Sequence, residues 1–447
     1  MHYNDMTVDN FWHTEANYEA IRAGLMLDHV WKVTDVDIKP NQFIGTFDSE
    51  NPDSKIVCLK EPADIKELDK GTVTIRIERT KQKTYSCPLC GLQCKAHDHE
   101  ERTYRHTDFM GLKCFLQVRI PKLHCPNCKF PQLRFPAAPE GASYTKMMGL
   151  EILKTAYELT QMGTSRMLGI GVKIVKNVLH KHFQEMMADL DLSNVTEVYV
   201  DETQFGHGQN YITVFSDQMK RIIFVIVGHS AETIAVFKEW LIEHGGSPDR
   251  IRAVSADMSK AYESGIMEHF PKADIVFDRF HLVKCLNEAL DKIRKRTIRA
   301  LPKEARDELG KIKYTVLYRE KNHSEKHEER MMNIRIYNPE LALAFDQKEE
   351  FCGVLEADTK EQAMVLFNIW YKDVMLHGTE EMKKKAELFE LKIDRIMCWF
   401  KHKITNGYAE GLNSMIQKTK NAAFGFRNVQ NFIDLLYFRY GRLPVRV

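Results

Sequence analysis

The sequence predicts an α/β catalytic core interrupted by an all-helical insertion and preceded by a zinc-binding domain and a helix-turn-helix. Three observations carry that reading. Cysteines recur as two Cys-Pro-x-Cys knuckles, at Cys87 and Cys90 and again at Cys125 and Cys128. Residues 195–277 read as three closely spaced strands followed by helix, strand, helix and strand. Residues 300–395 hold helix formers and charge runs, and no strand pattern recurs there.

From the amino terminus, residues 1–42 form an aromatic-rich, partly helical stretch, and residues 43–47 and 55–59 read as short strands. Gly71–Arg79 alternates apolar and polar residues, the period of a half-buried strand, and residues 113–120 do the same. The knuckles between and beyond them supply four thiolates, which satisfy tetrahedral Zn²⁺, each short turn letting two sulfurs face one ion. Their linker is longer than the commonest ribbon spacing, so Cys94, Cys114, His97, His99, His106 and His124 stay open as substitute ligands, and a redox pair or unligated thiols are the alternatives. A metal here would organise a domain too small for a large core.

The breaker-rich residues 136–143 mark a boundary. Beyond it, residues 146–161 and 166–170 read as helical around a turn at 162–165. After a turn at Gly171, a helix over 172–183 displays Lys173, Lys176, His180 and Lys181. That pattern fits a helix-turn-helix reading DNA, although helix pairs also occur as plain packing units. In the strand-rich part, the first three runs form an antiparallel meander, and the later strands need helical crossovers to run parallel, so a mixed sheet with the order βββαβαβ follows. A last helix starts near Thr405.

Composition narrows the class. With 44% apolar and 28% charged residues the chain is globular, and no apolar run approaches the roughly 18 residues of a membrane span. The polar start lacks a secretory pattern, so the ten cysteines point to a reducing, cytoplasmic setting, with Cys58, Cys285, Cys352 and Cys398 as ordinary buried thiols. The net charge of +2 hides local excess: Arg279, Lys284, Lys292, Arg294, Lys295, Arg296 and Arg299 face only Glu288 and Asp291, a stretch suited either to a phosphate backbone or to a solvated helix face.

Three acids stand in telling settings: Asp201 in the first strand run, Asp257 ending the fourth, and Glu410 inside a helix-like segment. Singly, each has a bland reading as a turn, cap or surface residue. Brought together from distant segments they would share divalent cations, which points to metal-dependent phosphoryl transfer.

These residues, with their neighbours Val200-Asp201-Glu202, Ser255-Ala-Asp257-Met-Ser-Lys-Ala-Tyr262, Asp278-Arg-Phe-His281 and residues 406–420, resemble the ISL-three family of bacterial insertion-sequence transposases. The resemblance runs from Cys87 to Tyr440; the first 80 or so residues match nothing in it. It implies an RNase H-like core whose Asp, Asp, Glu triad carries over to Asp201, Asp257 and Glu410, holding two Mg²⁺ (or Mn²⁺) ions for in-line displacement at a phosphodiester. It also implies double-stranded DNA as partner, both element terminal inverted repeats and target, acted on by a homodimer or larger assembly. His281 is a candidate for contacting the scissile phosphate, with a capped, packed imidazole as the alternative, and Lys418, Lys420 and Arg427 are candidates for phosphate contacts. The domains expected are 1–80, zinc-binding 81–136, helix-turn-helix 144–190, catalytic 195–300 and 396–447, and insertion 301–395. A metal nuclease that cuts without joining and an inactive DNA-binding regulator are the rival functions.

Overall fold

The computed structural model describes residues 14–40, 71–205, 211–309, 311–404, 407–423, 425–426 and 428–442, with the side chains at 40, 308 and 407–410 outside that set. The expected strands at 43–47 and 55–59, Cys58 and Arg427 lie outside the described residues. The chain divides into two compact units, one ending at Val178 and one starting at Leu179.

In the first unit, helix α1 (Glu15–Gly24) starts at Thr14, whose hydroxyl accepts from the Asn17 N–H. Strands β1 (Trp31–Pro40), β2 (Gly71–Arg79), β3 (Tyr85–Ser86), β4 (Gln93–Arg105) and β5 (Lys113–His124) form a sheet in the order β1-β2-β5-β4-β3. The alternation in β2 is a core face: Val73, Ile75 and Ile77 are buried and pair in parallel with Cys114, Leu116 and Val118 of β5. Two strands escaped the sequence reading for a physical reason. A register shift between Val33 and Asp35 breaks the period of β1, and one between Ala96 and Asp98 breaks that of the heavily charged β4.

Helices α2 (Lys146–Glu158), α3 (Gln161–Leu168) and α4 (Val172–Ala188) follow. The turn expected at 162–165 is instead inside α3, because Thr160 caps that helix by accepting from the Gly163 N–H at 3.0 Å. The turn into α4 spans Gly169 to Gly171, including the expected glycine: Gly169 ends α3 with φ +59, a conformation that suits glycine, Lys113 packs where a Cβ would stand, and the Gly171 carbonyl accepts from the Ile174 N–H.

The second unit carries β6 (Glu197–Gln204), β7 (Tyr211–Asp217), β8 (Ile222–Val227), helix α5 (Ala231–Glu243), β9 (Ala253–Ala256), α6 (Lys260–His269) and β10 (Asp274–Phe277). This is the expected βββαβαβ sequence. The sheet order is β10-β9-β6-β7-β8, with β10, β9 and β6 parallel and β7 and β8 antiparallel, the mixed sheet of an RNase H-like core. The β7 to β8 turn is fixed by buried Asp217, which accepts from the Met219 and Arg221 N–H groups and the Arg221 guanidinium.

Helices cover both faces. Val198, Val200 and Val254 pack with Ile234, Phe237 and Ile266 of α5 and α6. On the other side Ile212, Val214 and Val225 meet helices α15 (Gly407–Ala422) and α16 (Val429–Tyr440) through Leu412, Ile416, Phe432 and Leu436. Helix α16 was not expected from sequence. It covers the edge strand: the Tyr437 hydroxyl accepts from the Val225 N–H at 3.0 Å.

Between sheet and α15 lies the helical insertion. It starts from α7 (Arg279–Ala300) and runs through α8 (Lys303–Leu309), α9 (Lys313–Leu317), α10 (Glu325–Tyr337), α11 (Pro339–Glu356), α12 (Lys360–His377), α13 (Glu380–Leu391) and α14 (Ile393–His402). Phe351, Trp370 and Phe389 stack at its centre, and the Trp370 Nε1–H donates to the Gln347 carbonyl at 2.7 Å. Fully buried Lys348 donates to the carbonyls of Val316 and Tyr318 and pairs with Glu349 at 2.9 Å, so its charge ties α9 to α11 instead of facing a ligand.

Candidate active site

The site is built on strand register. Tyr199 of β6 stands opposite Ser255 of β9, and Ala256 of β9 opposite Phe277 of β10. Carrying that register forward brings Asp201, Asp257 and Asp278 level on three adjacent parallel strands, just past the carboxyl ends of β9 and β10 and where β6 runs on alone with β7 to Gln204, each about 4.8 Å from the next. The Asp278 N–H donates to the Ala256 carbonyl at 3.1 Å, extending the β9 to β10 pairing to this level. Loops beyond the carboxyl ends of parallel strands form the crevice where open α/β sheets bind ligands.

Each aspartate is held locally. Asp201 accepts from the Glu202 N–H at 2.8 Å and from the Asn413 side-chain amide at 2.5 Å. Asp257 accepts from the Ser259 N–H at 2.9 Å, the capping contact its sequence position allowed. Asp278, buried, caps α7 by accepting from the Phe280 N–H and holds His281 Nδ1 at 2.9 Å. The sequence alternatives for Asp278 and His281, cap or site, are therefore not exclusive: the cap geometry aims the imidazole at the aspartate row.

Electrostatics marks the cluster. Burial pushes the Asp201 carboxyl up to about 6, aided by the charges of Asp278 and Asp257 and opposed by the Glu202 N–H and His281. Glu202 is also raised, chiefly by burial and then by Asp257. His281 is raised by its hydrogen bond to Asp278, against burial, and further by Asp201 and Asp257. The carboxyls of Asp201, Asp257, Asp278 and Glu202 thus feel one another's charge, a repulsion that a divalent cation relieves, although among the described residues no three of them bring ligand atoms within 4.8 Å of one another.

The wall facing β6 is α15. Asn413 reaches Asp201, Gln417 donates to the Thr203 hydroxyl and to the Gln204 carbonyl at 3.2 Å, and Lys420 donates to the Gln204 carbonyl at 2.8 Å. Position 410 lies on this helix one turn before Asn413, on the same face by helical spacing. The Glu410 carboxylate itself lies outside the described residues.

Other candidates fall less uniformly. Lys420 is engaged with backbone, and His180 is hydrogen-bonded through Nδ1 to buried Asp434 at 2.9 Å, tying α4 to α16. Both thus have structural partners that the sequence did not disclose. Lys173, Lys181 and Lys418 are exposed, Lys176 half-buried, and Lys181 lies 3.8 Å from Glu185. In the basic stretch of α7, Arg294 and Lys295 pair with Asp291, and Arg296 pairs with Glu340 and Glu381, which favours a solvated, salt-bridged helix there. Asn413 and Tyr262 were not singled out. The Tyr262 hydroxyl lies 3.0 Å from the Thr213 hydroxyl and hydrogen-bonds Glu202. The signal for Asn413 was its place three residues after Glu410.

In the first unit, Cys87, Cys90, Cys125 and Cys128 bring all four sulfurs within 4.8 Å of one another; among the described residues no other group of three or more His, Cys, Asp or Glu does so. The knuckles meet because β3 pairs with β4 and β4 with β5, bringing Ser86 and His124 to one end of the sheet. Gly91 closes the first turn on the Cys87 carbonyl, and the Cys125 N–H donates to Lys129 in the second. The substitutes are outside this set: Cys94 and Cys114 are buried thiols pushed up by burial to about 11 and about 12, and His106 bonds the Thr145 hydroxyl at 2.8 Å. Four sulfurs in this span fit zinc.

Comparison with known proteins covers both regions. The family model described as Transposase (DDE_Tnp_ISL3) matches residues 198–436, and one described as the zinc-finger of transposase IS204/IS1001/IS1096/IS1165 matches residues 83–128. The chain is 25% identical over 367 residues to the transposase for insertion sequence element IS1001 of Bordetella parapertussis, covering 81% of this chain and 90% of that protein. It is 23% identical over 396 residues to the transposase for insertion sequence element IS1557 of Mycobacterium tuberculosis, covering 82% and 88%.

Proposed function

The chain belongs to the ISL-three family of DDE transposases, and from that premise we propose that it binds the terminal inverted repeats of an insertion sequence and catalyses DNA strand cleavage and strand transfer. The observation that carries the reading is the level row of Asp201, Asp257 and Asp278, with α15 laid across β6 by Asn413.

In this reading Asp201, Asp257 and Glu410 hold the divalent metal of the family, and their all-oxygen donors suit Mg²⁺ or Mn²⁺. When bound, the metal supplies Lewis-acid polarisation of the scissile phosphate and eases deprotonation of the attacking water or 3′-hydroxyl. Asn413 orients the Asp201 carboxylate so that one oxygen stays hydrogen-bonded and the group cannot rotate away. His281, whose imidazolium form the Asp278 hydrogen bond favours, faces the phosphate and offsets charge that builds on it.

Cys87, Cys90, Cys125 and Cys128 hold a structural Zn²⁺ that organises residues 81–136. Helices α3 and α4 act as a helix-turn-helix within 144–190, with Lys173, Lys176 and Lys181 tracking phosphates, and Lys418 makes a separate phosphate contact from the catalytic domain. The catalytic domain comprises 195–300 and 396–447 around the insertion 301–395, and a homodimer or larger assembly pairs the two element ends. Among the described residues no helix is long and apolar enough to cross a membrane. The place of action is the cytoplasm, where the DNA substrate lies.

A strand-transfer assay on linear DNA bearing the repeats that flank the gene tests the whole reading. Joined product that disappears in Asp201→Asn is expected. Cutting without joining indicates a nuclease, and binding without either indicates a regulator.

A further inference from the structure

Arg279 is the first residue of α7, next to Asp278 at the end of the aspartate row. Its guanidinium carbon lies 4.2 Å from the centre of the Trp399 indole, and Lys403 Nζ lies 4.3 Å from the same ring and 5.0 Å from Phe400. Trp399 does not belong to the deep core, unlike Trp370. It is half-buried, packs beside Ala253, Val276 and Tyr199 below the strand ends, and its Nε1–H is buried without a hydrogen-bond partner.

Two cations on one indole are unusual when neither is neutralised. Further along α7 the arginines and lysines find carboxylates, whereas among the described residues Arg279 and Lys403 have none within ion-pair range. Cation–π attraction offsets part of their mutual repulsion and of the desolvation of Arg279. It leaves two cations whose N–H donors are unpaired among the described residues, one of them on the residue next in the chain to Asp278. An arginine fork and a lysine point charge are the groups that bind a phosphodiester.

We propose that Arg279 and Lys403, held on the Trp399 ring, form a subsite for a backbone phosphate of the DNA strand whose scissile bond lies at Asp201 and Asp257. It rests on the transposase reading and adds to it the direction in which the bound strand leaves the catalytic row: past Asp278, on the β10 side of the sheet. Trp399 is a positioning residue in this arrangement, since it fixes two flexible side chains where the phosphate arrives.

The test uses full-length, zinc-loaded protein and a linear duplex made from the genomic DNA flanking the gene. Binding is followed by fluorescence anisotropy across a KCl series for wild type, Arg279→Gln, Lys403→Gln and Trp399→Phe. Each lost cation is expected to reduce the slope of log affinity against log salt by about one unit. A single methylphosphonate placed successively near the cleavage point should weaken wild type at one or two positions and leave the Arg279→Gln/Lys403→Gln double variant indifferent at those positions. Unchanged slopes in both single variants, or a double variant as sensitive as wild type, overturn the subsite. Lys403 is exposed, so its variant folds even if Arg279→Gln does not. Wild-type cleavage of the same duplex separates the two ideas: cutting with unchanged slopes removes only the subsite, and failure to cut removes the transposase reading with it.

Discussion

The side-chain amide of Asn413 donates to Oδ2 of Asp201 at 2.5 Å, joining a helix near the carboxyl end of the chain to the first strand of the catalytic sheet. That bond crosses the whole helical insertion in sequence. It holds the proposed metal-binding carboxylate in one orientation and sets the height of α15 against β6.

Asn413→Ala should therefore leave DNA binding intact while slowing strand cleavage, by about 10- to 100-fold on the precedent of lost outer partners in metal sites. Cleavage rates at saturating DNA, set beside anisotropy-measured affinity, check it. An equal loss in both would mean that Asn413 supports the fold and not the site.

Asp201 predicts a pH signature. Its folded-state value of about 6 lies above the ordinary aspartate range, so between roughly pH 4 and 6 the native protein holds the extra proton, and stability falls as pH rises through that window. The cost of keeping the carboxylate ionised at neutral pH is at most about 3 kcal/mol. Asp201→Asn should raise the neutral-pH melting midpoint of the metal-free protein, flatten its pH dependence and abolish cleavage. Mg²⁺ should stabilise wild type and not the variant, as thermal melts with and without the ion will show.

Zinc removal should act locally. Stripping with a chelator, or Cys125→Ser, is expected to release one zinc per chain and to lower hydrogen-exchange protection of β3 to β5 while β6 to β10 keep theirs, because the four sulfurs and the catalytic sheet belong to different compact units. Metal content and peptide-level exchange measure both halves.

Tyr437→Phe removes the acceptor for the Val225 N–H on the edge strand. An orphaned buried donor costs about 1–3 kcal/mol, which denaturant melts of the variant will resolve. His180→Ala is a second probe of the same helix, since it takes the partner from one oxygen of buried Asp434 and leaves the other on the Gln430 amide. Each should lower stability without changing the salt dependence of DNA binding, whereas Lys173→Gln should do the reverse.

The catalytic sheet was legible because its strands are short, apolar and regularly separated by turn residues, and the order βββαβαβ admits few topologies. The knuckles were legible because a Cys-Pro-x-Cys spacing carries its own geometry. Strands β1 and β4 were hidden by bulges that break the two-residue period. The start of α3 was hidden because Met162-Gly-Thr-Ser reads as a turn until Thr160 is recognised as its cap. For the site, sequence could nominate acids at strand ends but not their register. That Asp278 stands level with Asp201 and Asp257 depends on strand pairing, and that Lys420 and His180 are engaged internally depends on which helix lands beside them. Such facts belong to tertiary packing, to which local pattern is blind.

The position of α15 has a consequence for synthesis. A ribosome delivers the aspartate row early, yet the helix that completes the cleft emerges only after every turn of the insertion has been made. A polypeptide halted anywhere in that interval carries a sheet without its closing wall, so, on the proposed function, an unfinished product cuts no DNA.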